Sequence, residues 1–185
     1  MATVVQEQLI TLEQYAEMHD DNALTELVKG RVVTLNPPTP RHGEVCLQIG
    51  FLIKLYLLDR QIGRATSNDG AVVTRRHPDS VRGADVAYYG REKASDGPLP
   101  AGYLSVVPDL VFEVLSPSER WDEILTKVVE YLTAGVKIVC VADDDLKTVH
   151  IFRVDKPIQL LKEDQEFSVP DILPDFRVTV RKFFE

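Results

Sequence analysis

One acidic residue lies inside the most apolar strand that this sequence predicts. The strand runs from Asp109 to Leu115 with Glu113 in its interior, and a proline and the Ser-Pro-Ser stretch 116–118 bound it. An ionised carboxylate in a buried strand is costly unless a cation or hydrogen bonds compensate it. The alternatives are a structural acid bonded to a serine or tyrosine and an acid that serves a functional site. We place the candidate site around Glu113 for this reason.

A second predicted strand carries an acid that can reach the same point. Residues 83–89 read as this strand, with Asp85 in its interior. Neighbouring strands lie about 4.8 Å apart, so Asp85 can sit opposite Glu113, whereas Asp109 is roughly 13 Å along the strand. That separation is too large for one cation with ligands near about 2.1 Å. We predict that Asp85 and Glu113 are the metal ligands and that Asp109 caps or turns the chain before its strand. The structural alternative for Asp85 is an acid at a turn or strand start.

A lysine on the next predicted helix completes this group. Leu115 shares a strand face with Glu113, where a lysine would stabilise developing negative charge. The helix predicted over 121–134 carries Lys127, and Tyr131 follows one turn later on the same face. We predict that Lys127 points back at the sheet and that Tyr131 positions it. The alternative is a solvated helix lysine.

The remaining elements predict a mixed α/β or α+β fold. Helices alternate with strands around a central sheet, and no repeat is present. A chain of 185 residues suits one domain, residues 1–185. The predicted elements are a capped helix from Thr11 to Met18, an N-terminal hairpin (24–28 and 31–35) turned at Lys29-Gly30, a helix over 41–60, strands 71–75, 83–89 and 109–115, a loop over 90–107, a helix starting from Ser116-Pro117-Ser118-Glu119 and running over 121–134, strands 137–142 and 148–154, and short strands near Phe167 and over 178–183.

Composition predicts a cytoplasmic protein without membrane segments. The longest apolar stretch, 49–58, is broken by Lys54, and the N-terminus lacks a signal-like segment. Cys46 and Cys140 lie among apolar neighbours, which favours free thiols over a disulfide or a zinc site. The net charge of −8 counts against simple electrostatic binding of nucleic acid. An excess of basic residues over 54–93 keeps a basic face open.

The chain resembles a known family at these same residues. Glu26-Leu27-Val28-Lys29-Gly30, Pro37-Pro38, His42, Asp85-Val86, the block 108–118, Asp122, Lys127, Tyr131, Gly135-Val136 and Asp143 follow one pattern. This pattern is similar to that of the Uma family of putative restriction endonucleases, within the PD-(D/E)XK nuclease superfamily. The resemblance covers roughly residues 10–182, and the block 108–118 is its specific part.

The resemblance implies a restriction-endonuclease-like core sheet flanked by helices and Mg²⁺-dependent phosphodiester cleavage, with Mn²⁺ as a possible substitute. It assigns the superfamily's aspartate to Asp85, its second acid to Glu113 and a migrated lysine to Lys127. Two positions depart from the superfamily pattern, since Ala84 replaces the proline and Leu115 occupies the lysine slot.

The same resemblance implies an accessory acid, for which Glu26 and Glu44 are candidates. His42 has two interpretations: it bonds within the site or touches phosphate, or it is an exposed histidine at the start of a helix.

Three functions are compatible with the sequence. The leading one is a metal-dependent endonuclease whose expected substrate is nucleic acid, with DNA favoured over RNA. It is expected to act as a homodimer whose interface comes from 148–154 and 178–184. The second is an interaction module on a degenerate nuclease fold, which Leu115 and the acidic charge favour. The third is a hydrolase of small phosphoesters. Binding of Mg²⁺ or Mn²⁺ at one site would separate the first from the second.

Overall fold

The computed structural model describes residues 9–18, 23–94, 97–116 and 119–185. Two of its elements have caps that the sequence predicts. Thr11 forms a capping box with Gln14, and Gly135, in the left-handed region, ends the third helix. The elements in chain order are α1 Leu12–Glu17, β1 Thr25–Val28, β2 Arg31–Thr34, α2 Pro40–Leu57, β3 Gly63–Arg75, β4 Ser80–Gly90, β5 Leu110–Leu115, α3 Trp121–Ala134, β6 Ile138–Asp143, β7 Thr148–Phe152, β8 Gln159–Leu161, β9 Glu166–Ser168, β10 Arg177–Thr179 and a final 3₁₀ turn, Val180–Phe183.

Eight strands form one mixed sheet in the order β2-β1-β4-β5-β6-β7-β8, with β3 also paired to β4. Among the described strands only β5 and β6 run parallel, and α3 makes the crossover between them. The hairpin β1–β2 turns at Lys29-Gly30, where both residues have positive φ, as a two-residue type I′ turn requires. The prediction of a mixed sheet flanked by helices, with an N-terminal hairpin, is confirmed.

The helices α2 and α3 contribute to separate apolar cores. Val45, Ile49 and Ile53 recur every four residues along α2 and pack in a cluster that includes Phe112 and Val114 of β5. Ile124, Val128 and Tyr131 of α3 pack in a second cluster, which includes Val111 of β5. Residues 111 and 112 therefore belong to different clusters, as alternation along a strand requires. Both helices are held against the strand that carries Glu113.

Several predicted boundaries are wrong. β3 begins at Gly63 rather than residue 71, because a bulge between Ser67 and Gly70 lets polar residues continue the strand. The strand predicted over 178–183 ends at Thr179, and a 3₁₀ turn follows. The turn buries Val180 and Phe183 together, because residues three apart align in a 3₁₀ helix. The strand β8 has no counterpart in the sequence prediction.

The two segments predicted to form a dimer interface are instead largely internal. β7 lies between β6 and β8, and Phe183 and Phe184 are buried in the core. Their apolar residues serve the fold of one chain.

In the described part of the chain, no helix is both long and apolar enough to cross a membrane. Pro117 and Ser118 of the predicted helix start lie outside the described residues, and α3 begins at Trp121.

Candidate metal and nuclease site

Asp85 lies where the strands β4 and β5 stop pairing. Val86 and Phe112 are the last paired residues, and the same antiparallel register places Asp85 opposite Glu113 one step further. The Asp85 carboxylate, rather than a main-chain carbonyl, accepts the N–H of Val114 at 2.6 Å. The side chain thus closes the gap between the two strands. It is nearly buried at 7% exposure, which places its charge in a region of weak solvent screening.

Glu113 is buried with both carboxylate oxygens bonded from α3. Tyr131 donates its hydroxyl to Oε1 at 2.9 Å, and Lys127 Nζ lies 3.2 Å from Oε2. Burial raises the pKa of Glu113; Lys127 opposes that shift and Asp85 adds to it, so the net direction is upward. A nearby dication would stabilise the ionised form of this carboxyl, which burial disfavours.

Lys127 points back at the sheet as predicted and bridges two acids. Its Nζ also lies 3.3 Å from Oε1 of Glu119. Burial would lower the pKa of Lys127, but Glu113 and Glu119 outweigh burial and raise it, so the side chain is an ammonium ion. Tyr131 contacts Glu113 rather than Lys127, which differs from the positioning role predicted for it. Burial also raises the pKa of Tyr131, which keeps its hydroxyl a donor.

His42 contacts Asp85 from α2, whereas Lys127 and Tyr131 contact Glu113 from α3. It lies in the first turn of α2, where Thr39 caps its backbone, and its Nε2 is 3.3 Å from Asp85 Oδ2. The side chain is only 11% exposed, so it lies inside the site and is not a solvated helix residue. The hydrogen bond with Asp85 raises the pKa of His42 against the opposing effect of burial.

The two acids predicted as accessory ligands occupy different environments. Glu26 is buried, accepts the Gly83 amide at 3.0 Å and pairs with Arg82 at 2.7 Å. Both Glu26 oxygens therefore already have protein partners, and Arg82 also bonds Glu130 of α3. Glu44 is 61% exposed and pairs with Arg41 on the surface of α2. The structure therefore places Glu26 beside the site and turns Glu44 towards solvent.

Asp109 lies at the start of β5, away from the group around Glu113. It accepts the Gly90 amide at 2.9 Å and pairs with Lys93 and Lys137. Trp121 packs edge-on against His150, with ring centres 4.7 Å apart.

Sequence reasoning missed three residues near the site. Burial and the nearby Asp85 raise the pKa of Asp69, at the β3 bulge, although His42 and Lys127 oppose the shift. The turn-forming stretch Asn68-Asp69-Gly70 was a signal for this bulge. Glu119 was read only as part of a helix start. Cys46, one helical turn after His42, lies with its sulfur 3.5 Å from that ring.

The donor set fits a hard divalent cation. Asp85 makes both contacts described above through Oδ2, which leaves Oδ1 as a ligand atom, and each Glu113 oxygen keeps a second lone pair. Four acids (Asp69, Asp85, Glu113 and Glu119) surround two basic side chains (His42 and Lys127). Carboxylate oxygens in a net negative setting are the ligands that Mg²⁺ prefers.

Comparison with known proteins identifies a family and a fold. The profile of the Uma2 family, described as putative restriction endonuclease, matches residues 12–181. A crystal structure of a putative nuclease belonging to DUF820 from Anabaena variabilis superposes with a TM-score of 0.82. That protein is 18% identical, and the match covers 95% of this chain and 97% of the other. At this identity the likeness concerns the fold. A comparison with curated proteins gives no match.

Proposed function

The chain belongs to the Uma2 family of putative restriction endonucleases, and we propose that it uses a divalent cation to cleave phosphodiester bonds of nucleic acid. DNA is the substrate that we propose. The observation that carries the proposal is the pair Asp85 and Glu113. They lie opposite each other at the end of strand pairing, and both are nearly buried. A buried acid whose pKa burial raises, as in Glu113, is typical of functional sites.

In this proposal Asp85 and Glu113 hold Mg²⁺, or Mn²⁺ in its place. The cation, when bound, supplies a water of lowered pKa and polarises a phosphoryl oxygen. Lys127 brings a fixed positive charge next to Glu113, where it offsets negative charge developing on the phosphoryl group. Tyr131 holds Glu113 Oε1, and His42 and the Val114 amide hold Asp85 Oδ2. These bonds keep both carboxylates in one orientation, as a metal site requires.

Leu115 stands where the superfamily pattern has a lysine, and this departure fits the proposed arrangement. Lys127 reaches the Glu113 carboxylate from α3, so an ammonium ion is present without a lysine on β5. The buried Glu113, the lysine beside it and Asp85 opposite it together keep the charges that metal-dependent cleavage needs. This observation favours the nuclease over the interaction module.

We further propose that the active form is a two-fold homodimer and that it acts in the cytoplasm. Paired single-site subunits cut both strands of a duplex most simply, and two-fold dimers are the commonest oligomers. Cys46 and Cys140 are free thiols, which a reducing compartment preserves. A strictly monomeric mass in solution at micromolar concentrations would contradict the dimer.

The direct test is cleavage by the purified chain with Mg²⁺, Mn²⁺ or a chelator. Duplex DNA, single-stranded DNA, RNA and a small aryl phosphate would be offered separately. We expect metal-dependent cleavage of DNA, lost in Glu113→Gln and kept in Asp145→Asn, which removes an exposed acid. Cleavage of the aryl phosphate alone would identify a small-phosphoester hydrolase. Metal binding without cleavage of any substrate would refute the proposed activity.

A further inference from the structure

We propose that His42, Cys46 and Asp85 form a zinc site that shares Asp85 with the proposed nuclease site. In the described part of the chain, this is the one place where ligand atoms of three such residues lie within 4.8 Å of one another. The inference has two parts, the zinc site itself and its competition with Mg²⁺, and the second part rests on the proposed function.

The distances fit a tetrahedral ion. Bonds of about 2.0–2.3 Å hold the ligand atoms of tetrahedral zinc roughly 3.3–3.6 Å apart. His42 Nε2 lies 3.3 Å from Asp85 Oδ2 and 4.0 Å from Cys46 Sγ. All three ligand atoms lie within 4.8 Å of one another, so zinc binding requires Cys46 Sγ to move closer to the other two. Three protein ligands leave a fourth position for water, as in many zinc sites.

The scaffold holds these ligands before any ion arrives. His42 and Cys46 are four residues apart on α2, so they project from the same helix face. Val45 and Ile49, between and beyond them, are buried in the core that includes β5. Asp85 is fixed independently by the Val114 amide. All three ligands are therefore attached to elements that the core positions.

The donor types favour a soft or borderline cation over Mg²⁺. Thiolate and imidazole ligands select zinc, whereas Mg²⁺ takes oxygen ligands. Burial raises the pKa of the Cys46 thiol, and Asp85, Asp69 and Glu113 raise it further, so the free side chain is a neutral thiol. The same negative charges attract a dication, which displaces the thiol proton on binding.

Competition follows because one carboxylate belongs to both ligand sets. Zinc held by Asp85 takes up the negative charge that would otherwise attract Mg²⁺ to the same carboxylate, which the Val114 amide keeps in place. Zinc is therefore expected to inhibit the cleavage that Mg²⁺ supports.

The zinc site is tested by binding, without nucleic acid. Equilibrium dialysis should give about one zinc per chain, and Co²⁺ in its place should give a thiolate-to-cobalt charge-transfer band. Cys46→Ala and Cys46→Ser should abolish the band and weaken zinc binding by at least about tenfold, since even outer contacts of metal ligands change affinity that much. Cys140→Ala, which removes the other thiol, should retain both signals. Circular dichroism confirms that each variant is folded.

No zinc binding by the wild type, or equal binding by the Cys46 variants, would overturn the site. The competition is tested by titrating zinc at fixed Mg²⁺, with each protein compared with its own zinc-free rate. Stronger inhibition of the wild type than of Cys46→Ser is expected, and equal inhibition would overturn the competition. A chain that binds zinc through Cys46 but cleaves nothing would refute the nuclease and the competition together and leave the zinc site standing.

Discussion

The Asp85 carboxylate accepts the main-chain N–H of Val114 at 2.6 Å, at the point where β4 and β5 stop pairing. One side chain thus serves the sheet and also faces the proposed cation. The two roles respond differently to substitution, because the hydrogen bond needs an acceptor oxygen and the cation needs a charge.

Asp85→Asn should separate these roles. Its amide oxygen still accepts the Val114 N–H, so we expect the free energy of unfolding to stay within about 1 kcal/mol of wild type. Asp85→Ala leaves that N–H without its acceptor and should cost about 1–3 kcal/mol. Both should reduce metal-dependent cleavage by at least about a hundredfold, the scale of losing one transition-state contact. Urea unfolding and initial cleavage rates measure the two effects. An asparagine variant that cuts normally would remove Asp85 from the ligand set.

Glu113→Gln should abolish cleavage without unfolding the chain. Glutamine keeps the shape and the acceptor for Tyr131, and Lys127 keeps Glu119 as its partner. The variant loses one ion pair with Lys127 but also removes a charge that burial disfavours, and Glu119 still compensates Lys127, so stability should change little. Calorimetric titration with Mn²⁺ and a thermal melt check both statements. Wild-type activity at equal metal concentration would show that Glu113 is structural.

Lys127→Ala should lose most activity, and Leu115→Lys in that background should restore part of it. Residue 115 lies on the same face of β5 as Glu113. An ammonium acts as a point charge, so its position matters more than the element that carries it. Leu115 is only partly buried, beside the α3 cluster, which leaves room for a longer side chain. Lys54→Ala, which removes an exposed lysine of α2, is the matched control.

Folding of the double variant must be checked by circular dichroism, because overpacking at 115 could mask the rescue. Full activity of Lys127→Ala alone would exclude lysine from the mechanism.

Asp109 should make the fold sensitive to acid. Burial would raise its pKa, but Lys137, Lys93 and the Gly90 amide outweigh burial and lower it. A carboxyl with a lowered pKa stabilises the fold above its unfolded pKa of about 3.9, and this stability is lost as pH falls through the folded pKa. Asp109→Asn should cost about 1–2 kcal/mol at neutral pH, the scale of hydrogen bonds to charged groups. Its stability should then fall less steeply than that of wild type below about pH 5. Urea unfolding at several pH values measures this, and parallel pH curves would contradict it.

Local signals in the sequence predicted the parts of the site that lie on regular elements. The apolar strand around Glu113, the helix ending at Gly135 and the four-residue spacing of Lys127 and Tyr131 are each set by neighbours along the chain. Lys127 reaches Glu113 from α3 as its helical position predicts, and its catalytic role stays a prediction.

The sequence could not predict contacts that depend on how distant elements pack. Cys46 joins His42 and Asp85 only because α2 packs against β4, which carries Asp85 at its middle. Asp69 approaches because a bulge continues β3 through a polar stretch that reads as a turn. The final 3₁₀ turn was read as a strand because Val178 and Val180 alternate with polar residues, although Val180 and Phe183 are buried three residues apart.

Arg82 connects the hairpin, β4 and α3, because its buried guanidinium group pairs with two acids, Glu26 and Glu130. The three positions of this arrangement do not tolerate substitution equally. A change at either acid leaves a balanced pair, whereas a change at the base leaves two repelling carboxylates beside an already acidic centre. Over evolutionary time the acids of this triad can vary before Arg82 can, and a sequence that has lost Arg82 should have lost an acid first.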